Sequence, residues 1–311
     1  MPSYNLAFKN VSVQPTDSFD LNAYTRLRVK QIDQYLNALI PSSRVKPKTI
    51  HLSMRHSLFA GGKRVRPIIT LASAEACNGN IDEAMPLACA IECIHTYSLI
   101  HDDLPALDND DFRRGKLTNH KVYGEGVAIL AGDALLTQAF EIACKAKPTK
   151  RYSTADMIHE LSHTSGSLKL IAGQVADLEG EDQKPTLSEL KYIHERKTSA
   201  LLTCSARLGG MSSNCTSMQL QALTDFGHNI GLAFQVIDDI LDVTQTSKQL
   251  GKTAGKDQAS NKSTFPAAVG LEKSEKIASQ LTEKAFSALK PFQGRANALE
   301  AIADYLLSRK N

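Results

Sequence analysis

Apolar residues recur at helical spacing along most of the chain. From Asp20 onward, Leu21, Tyr24, Leu27, Ile32, Leu36 and Leu39 follow one another at steps of three, four or five, as one face of an amphipathic helix requires. Pro41 and Pro47 close that segment, because proline lacks the donor that continues a helix. Leu223, Phe226, Ile230, Phe234, Ile237 and Leu241 repeat the texture near the other end. Ala-rich stretches predict helices over 127–147, 274–290 and 295–309. Breaks are expected at Gly61-Gly62, 78–82, 105–126, 147–153, 180–187, 209–217 and 244–266. No sustained alternation of Val, Ile and Thr is present, so essentially no sheet is expected. The prediction is an all-α chain: residues 1–17, with Pro2 and Pro15, as a loosely ordered tail, and residues 18–311 as one helical domain without solenoid period or linker.

Composition changes this picture little. The 311 residues are 42% apolar and 22% charged, with net charge +3 and no Trp. That balance is ordinary for a globular protein and does not point to nucleic acid. The opening MPSYNLAFKN has no apolar core of a signal peptide. Polar residues interrupt every apolar run short of the ~20 positions a membrane span needs. A cytoplasmic protein without stable membrane insertion is therefore expected. Cys77, Cys89, Cys93, Cys144, Cys204 and Cys215 show no ligand-type spacing and are read as small buried or half-buried residues.

Two acidic clusters stand out against this background: HDDLPALDNDD at 101–111 and DDILD at 238–242. Each lies near the end of an apolar-periodic helix, where the macrodipole disfavours negative charge. Two carboxylates ~4 Å apart also repel by about 4 kcal/mol at an effective dielectric of ~20. A cation relieves both problems, and hard oxygen donors select Mg²⁺ or Ca²⁺. Asp238 and Asp242 are one turn apart, with Gln235 and Gly231 on the same face. Pro105 should end the first helix and swing Asp108 back toward Asp102. A single acidic helix end is commonly just solvated. Two of them, about 135 residues apart in one helical chain, suit walls that hold a diphosphate through metal.

Cations complete such a site. Gly61-Gly62-Lys63-Arg64-Val65-Arg66-Pro67 joins two helices, its glycines permitting close backbone approach and Lys63 and Arg66 offering donors to phosphate. Arg113 and Arg114 follow the first acidic cluster, Lys197 and Thr198 lie between the clusters, and Lys252 and Lys256 follow the second. His95 lies two helical turns before Asp102.

These pieces, with AGDALL at 131–136, GQ at 173–174 and LGK at 250–252, resemble the trans-isoprenyl diphosphate synthase family over roughly residues 50–270, and most of all its bacterial farnesyl-type members. The resemblance implies a homodimeric bundle of roughly ten to thirteen helices around a deep central cavity. It implies Mg²⁺, about three ions, bound by Asp102, Asp108 and Asp238. Catalysis would then fall to Asp102, Asp108, Lys197 and Asp238. Arg113, Lys197, Thr198, Gln235 and Lys252 would contact the allylic diphosphate (dimethylallyl or geranyl). Gly62, Lys63, Arg66, His95 and Arg114 would hold isopentenyl diphosphate. Asp103, Gln174, Asp177, Asp239 and Asp242 would support them. Tyr97 and Ser98, just before Asp102, would floor the chain pocket, and bulk there resembles the farnesyl-type enzymes. Leu117 stands where relatives often carry Pro. The alternatives are a geranylgeranyl or longer-chain synthase, a class I terpene cyclase, and a non-catalytic helical partner subunit.

Overall fold

The computed structural model describes residues 19–180, 186–244 and 264–308. The expected tail at 1–17 and the Lys252–Lys256 stretch lie outside them. The described residues form helices α1 (Leu21–Leu39), α2 (Lys48–Leu58), α3 (Val65–Ala76), α4 (Ile81–Asp102), α5 (Asn119–Tyr123), α6 (Glu125–Ala143), α7 (Thr154–Ser165), α8 (Leu170–Glu179), α9 (Leu187–His194), α10 (Ala200–Ser212), α11 (Ser217–Thr244), α12 (Phe265–Val269), α13 (Leu271–Leu289) and α14 (Asn297–Leu307). A π turn, Glu195–Ser199, links α9 to α10. The all-α expectation holds, with one small exception. Strands β1 (Phe112–Arg113) and β2 (Lys116–Leu117) pair as a hairpin. Its two central residues, Arg114 and Gly115, both have positive φ, the tight turn that suits twisted strands.

Local signals place the helix ends. The Asp20 side chain accepts from Ala23 N–H at 2.9 Å and starts α1. Reciprocal capping boxes start α7 at Ser153 and α9 at Thr186. Thr216 and Gln219 exchange the same pair of bonds at the head of α11. Such caps each stabilise a helix by about 1 kcal/mol. The expected break at 209–217 narrows, because α10 runs on to Ser212.

α4 is the central element. Met85, Leu87, Ala88, Ala90, Ile91 and Ile94 are almost fully buried around its whole circumference, as a helix apolar on all sides must be. It packs against α3, α6 and α10, while α11 packs against α10 and α13. Leu223, Phe226 and Ile230 of α11 are completely buried, each worth roughly 1.5–3 kcal/mol in apolar transfer. Helix α6 corrects one expectation: its 19 residues are long and apolar enough, by length and composition, to cross a membrane. Its inner positions, among them Ala131, Leu135 and Ala139, pack into the bundle, and Ile129 and Leu130 face outward. Every cysteine is free, and Cys144 is exposed rather than half-buried.

Candidate active site

The two halves of the first acidic cluster meet as the break at Pro105 predicts. α4 stops at Asp102, and the chain turns back through Leu107 N–H to Leu104 O at 2.9 Å. The Asp108 N–H then donates to the Asp102 carbonyl at 2.8 Å. One backbone bond thus holds two acidic residues side by side. Burial pushes the Asp102 carboxyl up to about 6, with Lys197 pulling it down and Asp108 pushing it further up. Lys197 is therefore within electrostatic reach of the end of α4.

Asp103 takes a different role. It is buried, and it grips Arg113 through Nε at 2.7 and 3.0 Å and through Nη2 at 2.6 Å. Both acceptor oxygens are engaged, so Asp103 orients an arginine. Arg113, expected on the allylic diphosphate, is held in this fork.

The second acidic cluster lies on α11, which packs against the π turn. A π turn inserts an extra residue into a helix and redirects its side chains. Here it carries Lys197 and Thr198. The Lys197 ammonium lies 2.5 Å from Asp177 Oδ2 on α8. The Thr198 hydroxyl donates to Gln235 Oε1 on α11 at 2.9 Å. Glycines make room on both sides. A Cβ at Gly173 would strike the Lys197 backbone, and one at Gly231 would come within 2.5 Å of Ser199 Cα. Beyond Gln235, Asp238 is half-buried, and Asp239 and Asp242 are buried. Asp239 accepts from Phe265 N–H at 2.9 Å. Both carboxylate oxygens of Asp242 are buried without a hydrogen-bond partner.

The basic residues gather beside the first wall. Arg66 Nη1 lies 3.3 Å from His95 Nε2. Burial pushes His95 well below the usual histidine range, and Arg66, Arg114, Arg113 and Arg64 add to the effect. His95 is thus a neutral imidazole among cations. Burial also lowers Arg66 to about 10. Arg114 donates to the Gly61 carbonyl, and a Cβ at Gly62 would lie 2.5 Å from its Nη1. Lys63 departs from expectation. Its ammonium sits 5.0 Å above the Tyr305 ring, a cation–π contact that turns it toward α14.

Sequence reasoning passed over Arg64. It is 3% exposed and has φ 50°. It bonds Asp33, Glu92 and the Leu58 carbonyl at 2.9, 2.8 and 2.7 Å. It is the buried anchor beneath the loop that presents Arg66. The chemically identical Arg66 two residues on hid it. The π turn was equally invisible, since Glu195–Ser199 carries no composition signal. Tyr97 is 6% exposed, with its ring edge-on to His101 at 5.8 Å. The Ser98 hydroxyl donates to His95 O at 2.9 Å.

The residues present suit Mg²⁺. Among the described residues no three His, Cys, Asp or Glu side chains form a ready-made cage. Mg²⁺ ordinarily binds one or two carboxylates and completes its shell with water and substrate phosphate. Two adjacent acids at Asp102 and Asp108, and buried Asp242 oxygens lacking any donor, give it hard ligands and a reason to bind.

Comparison with known proteins supports the same conclusion. The polyprenyl synthetase family description matches residues 47–302. A dimethylallyltranstransferase from Fischerella ambigua (strain UTEX 1903) is 46% identical over 99% of this chain and 92% of its own. A geranylgeranyl diphosphate synthase from Cyanophora paradoxa is 45% identical over 94% and 98%. A solved geranyltransferase from Helicobacter pylori, complexed with magnesium and isoprenyl diphosphate, superposes with TM-score 0.79 at 32% identity, covering 94% of this chain and 98% of that one. With an acidic pair at the end of α4, a second acidic cluster on α11 and arginines gathered around His95, the chain belongs to the polyprenyl synthetase family, the trans-isoprenyl diphosphate synthases.

Proposed function

We propose that this prenyltransferase joins isopentenyl diphosphate to an allylic diphosphate and repeats the step to a product of 20 carbons. The observation that carries the reaction is the convergence of Asp102, Asp108 and Lys197, with Thr198 and Gln235 linking them to the Asp238 helix. Asp102, Asp108 and Asp238 hold Mg²⁺, which supplies positive charge to the departing diphosphate. Lys197, Thr198 and Gln235 hold that diphosphate from the π turn and α11. Arg66, Arg114 and neutral His95 hold the diphosphate of isopentenyl diphosphate, His95 as an uncharged donor. Its double bond attacks the allylic carbon as the carbon–oxygen bond breaks. The proton then lost leaves with the freed diphosphate. The apolar face of α4 below Asp102 excludes water from the carbocation. Two separate anion sites suit a two-substrate condensation better than the one-substrate terpene cyclase.

Support for this product length comes from the relatives, where geranylgeranyl synthases predominate among the most similar sequences. This displaces the 15-carbon expectation to second place. One residue keeps that reading open: Tyr97, buried five positions before Asp102, about 7.5 Å along the helix axis. Incubation with Mg²⁺, isopentenyl diphosphate and dimethylallyl diphosphate, followed by product sizing, separates them. Dominant 20-carbon product is expected, and dominant 15-carbon product would restore the farnesyl reading. Retention of activity in EDTA would remove the metal assignment altogether. We also propose a homodimer, formed through the outward apolar stripe of Val122, Ile129 and Leu130.

A further inference from the structure

The second acidic cluster contains an aspartate whose carboxylate is taken up by the backbone of α12. Asp239 is 5% exposed, and its Oδ2 accepts the Phe265 N–H at 2.9 Å. Phe265 is 1% exposed. Its ring stacks on His194, with centroids 5.5 Å apart and planes 21° apart. His194 Nε2 lies 3.6 Å from the same Asp239 oxygen, too long for a hydrogen bond. Nε2 is buried and has no hydrogen-bond partner. The flat ring against Phe265, more than the long polar contact, therefore fixes the imidazole. His194 is the last residue of α9 and adjoins the π turn. It stands three residues before Lys197, and Asp239 stands next to Asp238.

We propose that His194 and Phe265 are positioning residues, a stacked latch that sets the Lys197–Thr198 turn against Asp238 and so shapes the allylic diphosphate subsite. The proposal deepens the prenyl-transfer reading and rests on it for the identity of that subsite. The reasoning is geometric. Lys197 and Asp238 ride on different helices, and each has a neighbour in the latch. Thr198–Gln235 and the Ser199 hydroxyl donating to His228 O at 2.9 Å both tie the far end of the π turn to α11, which leaves its near end, at His194, to be held. The His194–Phe265–Asp239 contact holds that end. The isopentenyl subsite stands apart, since Arg66, His95 and Arg114 come from α3, α4 and the hairpin.

The test measures both substrates separately on the full chain with Mg²⁺. Calorimetry with geranyl diphosphate alone and isopentenyl diphosphate alone gives affinities, and turnover gives kcat and each KM. His194→Ala should weaken geranyl diphosphate binding and kcat about tenfold. Isopentenyl diphosphate affinity should stay within about twofold, with the thermal midpoint recorded alongside. His194→Phe keeps the flat ring and should recover most of the loss. Phe265→Leu keeps the backbone bond to Asp239, removes the stack and should reproduce the His194→Ala pattern, so it carries the test if the alanine variant does not fold. Equal weakening of both substrates, or unchanged geranyl diphosphate binding in both variants, would overturn the latch. Wild-type protein that binds both diphosphates without joining them would instead refute the prenyl-transfer reading, and the binding arm would still decide the latch.

Discussion

At the scale of single residues, the site stores electrostatic cost where it needs a cation. Asp102 has its carboxyl raised to about 6 by burial. A raised carboxyl binds its proton more tightly folded than unfolded, so stability falls as pH rises from the usual carboxylate value through about 6 and stays lower above it. Without metal, Asp102→Asn should therefore be more stable than wild type at pH 7.5, by about 1–2 kcal/mol after allowance for solvent screening. The advantage should vanish near pH 3.5, and added Mg²⁺ should favour the wild type. Thermal unfolding at the two pH values, with and without metal, checks the sign. Tyr97 gives a second prediction. Tyr97→Ala opens the space below Asp102 at a cost of about 3–5 kcal/mol and should lengthen the product, whereas Tyr97→Phe should leave it unchanged. An unaltered product profile in the alanine variant would put the floor elsewhere.

At the scale of elements, the sequence pattern foretold what local chemistry determines. α1 starts just after Asp20, where the helical apolar spacing begins, and the break at Pro105 returns Asp108 to Asp102. The resemblance assigned Thr198 and Gln235 to the same substrate, but their hydrogen bond to one another was not foretold, because no local pattern links residues 37 apart. The rest depends on contacts between elements. Nothing in Glu195–Ser199 announces a π turn, because close packing of α8 and α11 against it sets that geometry. Lys63 and Arg64 read alike as basic loop residues, yet one lies over Tyr305 and the other is buried between Asp33 and Glu92. The hairpin at 112–117 is too short for a periodic signal. The packing makes a prediction of its own. Gly173→Ala drives a methyl into the Lys197 backbone and should lower kcat about tenfold or more while far-UV circular dichroism stays helical. Wild-type kcat in that variant would show that the π turn tolerates displacement.

At the scale of the whole molecule, one long helix faces two ways. The inner side of α6 closes the core against α2 and α4, while Ile129 and Leu130 are 45% and 59% exposed. A contiguous exposed apolar patch, unlike single scattered residues, marks an association surface. On the proposal of a homodimer through this face, Leu130→Glu should shift the assembly from dimer to monomer, read by light scattering after gel filtration. An unchanged mass would move the interface to another face.

The hydrogen bond from Asp108 to the Asp102 carbonyl has a practical consequence. Because a main-chain bond ties those two acids together, the exposed side chain of Ala106 carries none of that duty. A cysteine substituted at Ala106 and coupled to a small fluorophore would sit beside the mouth without altering its ligands, and would turn the arrival of metal and substrate into an optical signal.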